Sequence, residues 1–241
     1  MNPLILIPAR MASTRLPQKP MAMIDDVPMI VQCYRRAKEA NLARVVVACD
    51  APEIAAAIDA EGGEAVLTNP DLPSGSDRIY AALQQIDADQ QHEVIINLQG
   101  DMPTLDPAVI EQVLTPLKAN EAYDIATLAA VIQEEEDRAN PNVVKVVYSG
   151  DEQAGRALYF SRQLLPYGDG EHYHHIGIYA YRRSALERFI ALPPSPLEQR
   201  EKLEQLRALE AGMQIAVQIV DTVPLGVDTP EQLEQAREIL Q

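Results

Sequence analysis

Tryptophan is absent from the 241 residues, phenylalanine occurs only as Phe160 and Phe189, and cysteine only as Cys33 and Cys49. With so few rings the core must be assembled from Ile, Leu, Val, Ala and Met, and a platform for stacking nucleic-acid bases is excluded. Cations are scarce as well: Lys and Arg number 20 against 36 Asp and Glu, a formal charge of −16. Such a chain repels phosphate backbones and anionic leaflets, which excludes sequence-independent binding to nucleic acid or to a membrane surface. The two cysteines lie in apolar surroundings, without C-x-x-C spacing or a neighbouring His. They read as buried free thiols in a reducing compartment rather than as a disulfide or zinc site. Long apolar runs are missing too. The run Leu4–Ile7 breaks at Pro8, too short for a signal segment or a membrane span, so a soluble, cytoplasmic protein is expected.

What is present is ample apolar material, 47% of the chain, enough for a full core in one large α/β domain. Strand-length apolar runs alternate with helix-period segments. Strands are expected at 4–7, 45–49, 65–67 and 94–98, and helices at 28–41, 52–60, 76–86 and from Pro107 behind the cap Asp106. Continuous runs such as Val45-Val46-Val47 and Val94-Ile95-Ile96 suit strands covered on both faces, hence a doubly wound α/β fold with a mostly parallel sheet. After Ile132 the alternation loosens. The acidic run 133–137 reads as a solvated helix face or loop, and strands at 143–148, 157–160 and 175–181 without intervening helices suggest antiparallel additions or a dimerising flap. A long helix is expected from the cap Ser195 to the stop Gly212, then a strand at 215–220 and a last helix capped by Thr229.

In an open α/β sheet ligands bind beyond the carboxyl ends of the strands, which directs attention to the segment after the first strand. Between Pro8 and Pro20 it carries Arg10, Ser13, Thr14, Arg15 and Lys19, with no acid before Asp25. Arg10 and Arg15 can fork phosphate oxygens, Lys19 can add a point charge, and the hydroxyls can donate alongside backbone N–H groups. Neither G-x-G-x-x-G nor G-x-x-x-x-G-K-[ST] occurs, so the dinucleotide and P-loop readings fail. A basic surface loop is the plain alternative for any one of these residues; their clustering at the expected crevice favours a polyphosphate site.

After the strand at 94–98 comes Gln99-Gly100-Asp101, which places a carboxylate at the mouth of the same crevice. Magnesium prefers one or two carboxylates plus substrate oxygens, so Asp101 is a credible half-site, although a loop Asp bonding its own turn is the commoner case. Leu225-Gly226-Val227-Asp228-Thr229-Pro230 offers a second carboxylate, with Gly226 permitting an unusual backbone. An Asp there is most often a cap, but Thr229 suffices for that role one residue later. Ser74-Gly75-Ser76-Asp77-Arg78 reads as a turn into a capped helix.

The segment Ala9-Arg10-x-x-Ser13-Thr14-Arg15-Leu16-Pro17-x-Lys19-Pro20 resembles the signature loop of sugar nucleotidyltransferases, most closely the 3-deoxy-manno-octulosonate (Kdo) cytidylyltransferases. Q-G-D at Asp101 and G-V-D-T-P at Asp228 are similar to that family's motifs, in which the two aspartates bind catalytic magnesium. The resemblance extends over essentially the whole chain and implies a Rossmann-like nucleotidyltransferase fold, a single domain over 1–241, and a sub-region at about 132–192 contributing to a homodimer and to the acceptor-sugar site. By position it implies catalytic Lys19, Asp101 and Asp228, and nucleotide contacts from Arg10, Ser13, Thr14, Arg15, Lys19, Ser74, Arg78 and Gln99. Sugar contacts are implied for Gln99, Arg162, His175, Tyr179, Glu204 and Gln205. Two departures stand out: Gln18 where the family commonly has Gly, and Met102 where an acid usually follows Q-G-D.

The activity implied is CMP transfer from CTP to the anomeric hydroxyl of Kdo, with release of pyrophosphate, for lipopolysaccharide biosynthesis. The expected partners are therefore CTP, Kdo, Mg²⁺ and a second copy of the chain. Rival readings are a cytidylyltransferase for another acidic sugar, such as a sialic acid or amino-Kdo, and a non-catalytic nucleotide-binding protein on the same fold. L-E-Q-L-R at 203–207 and H-I-G-I-Y at 175–179 favour Kdo among the sugars, and the retained Lys19, Asp101 and Asp228 favour catalysis.

Overall fold

A computed structural model describes residues 1–240. In chain order the elements are β1 (Pro3–Ala9), a 3-10 turn (Lys19–Met21), β2 (Met23–Ile24), β3 (Val27–Pro28), α1 (Met29–Glu39), β4 (Arg44–Cys49), α2 (Pro52–Ala60), β5 (Glu64–Leu67), α3 (Gly75–Ile86), β6 (Val94–Asn97) and α4 (Pro107–Gln112). They continue with α5 (Thr115–Ala119), β7 (Ile125–Val131), α6 (Glu135–Ala139), β8 (Lys145–Gly150), β9 (Ala154–Ser161), β10 (Tyr173–Arg182), α7 (Arg183–Ala191), α8 (Pro196–Glu201), α9 (Gln205–Glu210), β11 (Ile215–Ile219) and α10 (Pro230–Leu240). These residues group into two compact units, 1–111 with 224–240, and 112–223.

The first unit is built on four parallel strands in the order β5-β4-β1-β6. Leu4, Ile5, Leu6 and Ile7 of β1 and Val46, Val47, Ala48 and Cys49 of β4 are fully shielded from solvent, which only helices on both faces can achieve. The helices carry matching stripes: α1 buries Met29, Ile30, Cys33, Tyr34 and Ala37, and α3 buries Ile79, Ala82 and Leu83. The order of the strands reverses at β1, whose two neighbours are β4 and β6; such a switch point opens a crevice at the strands' carboxyl ends. Residues 224–240 return to this unit. There α10 adds Leu233 and Ala236 to a cluster with Leu16, Ile24, Met29, Cys33 and Val227. Both thiols are buried and unpaired, as the composition suggests.

The second unit is a mixed sheet, β10-β7-β11-β9-β8, that curls until β8 also pairs with β10. Only β7–β11 is parallel; β7–β10 and β9–β11 are antiparallel, and so are β8–β9 and β8–β10, as expected of the strands that follow one another without intervening helices. The acidic run leads into α6, which takes up its last three residues and buries none of its own. The long helix expected over 195–212 is instead two helices. Lys202 adopts a left-handed conformation (φ 56°) that ends α8, and the Arg162 guanidinium donates to the helix-terminal carbonyls of Glu201 (2.9 Å) and Lys202 (3.5 Å). Gly212 (φ 73°) stops α9 as expected. Among the described residues no helix is long and apolar enough to cross a membrane.

Candidate active site

The β1 loop is held by few but specific contacts. Leu16 is its apolar anchor, 8% exposed among the residues of the α10 cluster, while the Met11 N–H donates to Asp50 Oδ1 (3.0 Å) and the Leu16 N–H to Ser13 Oγ (3.4 Å). Burying one leucine is worth about 1.5–3 kcal/mol, enough to fix one side of a polar loop in which Arg10, Thr14 and Arg15 stay exposed. Gln18 occupies the left-handed region (φ 53°, ψ 36°) at the entry to the 3-10 turn that begins with Lys19. The turn therefore keeps a backbone suited to glycine even though glycine is replaced.

At the other side of the crevice Gly100 and Asp101 follow β6. A Cβ on Gly100 would lie 2.9 Å from the Pro8 carbonyl oxygen and 3.1 Å from Ile30, so only glycine lets this turn press against the end of β1. The Val227 N–H donates to the Asp101 carbonyl (2.8 Å) and the Leu225 N–H to Thr104 Oγ1 (3.0 Å), which fastens the Asp228 segment beside Asp101. Thr229 caps α10, its Oγ1 accepting from the Gln232 N–H (3.3 Å), and Gln232 Oε1 accepts in return from the N–H groups of Asp228 and Thr229. Asp228 is thus released from capping. Gly226, by contrast, has neither a left-handed backbone nor any neighbour that a Cβ would touch, so the unusual geometry expected of it is absent.

These segments converge on one cation. Lys19 Nζ donates to Asp101 Oδ2 (2.7 Å) and Asp228 Oδ1 (2.9 Å), and Arg15 pairs with Asp228 Oδ2 (2.8 Å). Burial alone would lower the Lys19 pKa, but the two carboxylates outweigh it and hold the ammonium above its ordinary value. Burial alone would raise that of Asp228; Lys19 and Arg15 reverse this and keep it ionised.

The crevice is a cavity of about 750 Å³, lined by Arg10, Ser13, Thr14, Arg15, Lys19, Ser74, Arg78, Gln99, Asp101 and Asp228 among others. Every nucleotide-side residue expected from the sequence therefore borders one space. Ser74 also caps α3: its Oγ accepts from the Asp77 N–H (3.2 Å) and donates to Asp77 Oδ2 (2.7 Å). Arg78 is only 2% exposed. Its Nη1 donates to Thr68 Oγ1 (2.6 Å) and the Asn69 carbonyl (3.3 Å), while Nη2 is buried without a partner among the described residues.

Of the sugar-side candidates, Gln99 borders this cavity and the others belong to the second unit. His175 and Tyr179 lie side by side on β10, ring centroids 5.5 Å apart, with Phe160 packed edge-on against His175. Burial pushes the Tyr179 phenol well above its ordinary pKa, so it remains an O–H donor. Arg162, besides α8, holds the Pro141 carbonyl (2.9 Å), and Glu201 accepts from its N–H (3.1 Å) and from Ser161 Oγ (2.8 Å). Gln205 is buried, whereas Glu204 is partly open and 3.9 Å from Arg207. Sequence reasoning missed the supports: Asp50, Thr68, Thr127 and Glu201. Asp50 follows a buried strand just as Asp101 does, a signal already in the sequence; the other three announce themselves only through their partners.

The cytidylyltransferase family model matches residues 4–215. The chain belongs to the cytidylyltransferase family. It is 64% identical to the 3-deoxy-manno-octulosonate cytidylyltransferase of Rhodopseudomonas palustris over 240 residues, covering 98% of this chain and 97% of that one. The protein of the same description from Parvibaculum lavamentivorans is 63% identical over 99% of this chain and 93% of its own. Among solved structures, CMP:2-keto-3-deoxy-manno-octonic acid synthetase complexed with CTP superposes with a TM-score of 0.92 at 40% identity, covering 100% of this chain and 98% of that one. A cytidylyltransferase from Leptospira borgpetersenii shares the fold, with a TM-score of 0.62 at 18% identity over 98% of this chain and 85% of its own. Family membership thus agrees with the α/β architecture.

Proposed function

We propose that this cytidylyltransferase transfers CMP from CTP to the anomeric hydroxyl of Kdo and releases pyrophosphate, serving lipopolysaccharide biosynthesis in the cytoplasm as a homodimer. The observation that carries the reading is the Asp101–Lys19–Asp228 bridge at the edge of a cavity whose remaining polar side chains are cationic or hydroxylic apart from the Gln99 amide. In the cavity, Arg10, Arg15 and Lys19 neutralise charge on the triphosphate and then on the departing pyrophosphate, while Ser13 and Thr14 donate to its oxygens. Arg78 and Gln99, which also line the cavity, remain to orient the nucleotide.

The residues also fit a magnesium ion. An ammonium already lies between two carboxylate oxygens at 2.7 and 2.9 Å, and hard oxygen donors in that number, completed by water and substrate, suit Mg²⁺. Asp101 and Asp228 would hold it, and when bound it would act as a Lewis acid on the reacting oxygens. On the sugar side, the partly buried Tyr179 phenol offers a donor and His175 a ring nitrogen to an acceptor's hydroxyls. The exposed apolar side chains Leu158, Leu164 and Tyr167 in the second unit support self-association.

The test is pyrophosphate release with CTP and Mg²⁺ in the presence of Kdo, N-acetylneuraminic acid or no sugar. Release is expected with Kdo alone; release with the sialic acid and not with Kdo would overturn the substrate assignment. Asp101→Asn and Asp228→Asn should each abolish turnover while leaving the fold intact.

A further inference from the structure

His175, paired with Ala129, lies on β10 just before a break in the β7–β10 ladder, where Ile176 pairs with Leu128 but the next pair is Tyr179 with Thr127. The extra residues of this bulge free backbone carbonyls from the ladder. The Thr127 hydroxyl, fully buried, meets them: Oγ1 is 2.8 Å from the Ile178 carbonyl oxygen, 3.1 Å from that of Ile176 and 3.0 Å from His175 Nε2.

Counting protons assigns the ring. Carbonyl oxygens only accept, and a hydroxyl has one proton, so that proton belongs to one of the two carbonyls and a lone pair of Oγ1 faces Nε2. Nε2 must therefore carry hydrogen. The opposite tautomer would aim the hydroxyl proton at Nε2 and leave two carbonyl oxygens against bare lone pairs at 2.8 and 3.1 Å. His175 Nδ1 makes no hydrogen bond among the described residues. We propose that Thr127 is a positioning residue that locks His175 as the Nε2–H tautomer, so that Nδ1 is a permanent acceptor which takes a sugar hydroxyl and rejects a carboxylate. This rests on the reading of His175 as a sugar contact.

The ionisable groups nearest the ring are His174 beside it and Tyr179 across from it. Burial, with a smaller contribution from His174, holds the His175 pKa down at about 3, so the ring stays neutral across the working range and Nδ1 keeps its lone pair. The site then discriminates by hydrogen-bond polarity at a fixed atom.

The experiment is ¹⁵N spectroscopy of the histidine rings in the full-length protein between pH 8 and pH 5, with and without Thr127→Val and Thr127→Ser. His175 should show a protonated Nε2 and a bare Nδ1 throughout that range in the wild type and in Thr127→Ser. In Thr127→Val the fixed tautomer should be lost, and KM for the acceptor sugar should rise about fivefold to tenfold with KM for CTP unchanged. A ring protonated on Nδ1, or one that titrates between pH 8 and pH 5, overturns the proposal, and the wild-type spectrum decides this even if Thr127→Val fails to fold. A locked Nε2–H ring with unchanged sugar KM in Thr127→Val overturns the recognition role. Because pyrophosphate release with Kdo is measured independently of the ring spectrum, failure of the tautomer is distinguishable from failure of the substrate assignment.

Discussion

Replacing Lys19 by methionine removes the cation that bridges Asp101 and Asp228 while keeping the length of the side chain. Any divalent ion entering between those carboxylates must first displace the ammonium from contacts of 2.7 and 2.9 Å. The side chains are 19%, 26% and 38% exposed for Lys19, Asp101 and Asp228, so the pairs fall between two limits. An exposed ion pair contributes up to about 1 kcal/mol, and removing one partner of a buried pair costs roughly 3–5 kcal/mol. Discounted for this exposure, about 2 kcal/mol for the bridge as a whole is reasonable, equivalent to roughly thirtyfold in affinity. Lys19→Met should therefore bind Mn²⁺ or Mg²⁺ about thirtyfold more tightly than the wild type in the absence of nucleotide, measured by titration calorimetry or by the loss of free Mn²⁺ signal. The same ion should raise Tm more in the variant, since it replaces a missing counter-charge. Turnover should nonetheless fall by about a hundredfold, because the charge on pyrophosphate loses a partner. Divalent-ion affinity equal to or weaker than that of the wild type would refute the reasoning, since the ammonium and the ion would then not share a site.

Three further outcomes test the scaffold. Glu198 accepts from Arg207 (2.8 and 2.5 Å) and from the Ser195 N–H (3.0 Å); burial alone would raise its pKa, but Arg207 and that N–H hold it below its ordinary 4.5. A depressed carboxylate stabilises above its unfolded pKa and stops doing so as pH falls through the folded one, so thermal stability should drop below about pH 5, and Glu198→Gln should lose about 2–3 kcal/mol at pH 7 with little of that acid dependence. Gly100→Ala forces a Cβ to 2.9 Å from the Pro8 oxygen and should cost about 1–3 kcal/mol in denaturant unfolding, together with activity, because Asp101 is carried on the same turn. Gln18→Gly relieves a left-handed backbone and should raise stability by about 0.5–1 kcal/mol; a loss would show that the Gln18 side chain makes a compensating contact.

The parallel unit is legible in the sequence because its strands are continuous apolar runs and its helices begin at cap or proline signals. α2 occupies Pro52–Ala60, as the periodicity predicts, and Thr229 caps α10. Less legible were β7, the apolar run Ile125–Val131, and α7, which follows β10. The break at Lys202 could not be read from local sequence, since it depends on a guanidinium forty residues away taking the carbonyls of the helix end. The nucleotide-side residues were visible because they are crowded into one loop and two short motifs. Their supports were not: a threonine such as Thr127 looks like any strand residue until a bulge places two carbonyls and an imidazole around its oxygen.

The two carboxylates that meet at Lys19 lie on either side of the whole second unit in the chain, Asp101 before it and Asp228 after it. During synthesis the first unit therefore has its phosphate-facing loop and one carboxylate long before the other exists. Until residues 224–240 emerge, Leu16 also lacks the α10 side chains that anchor it. A growing chain has only half of the proposed metal pair, so on that proposal catalytic competence arrives as a late event of biogenesis, after residues 112–223 have had the opportunity to fold.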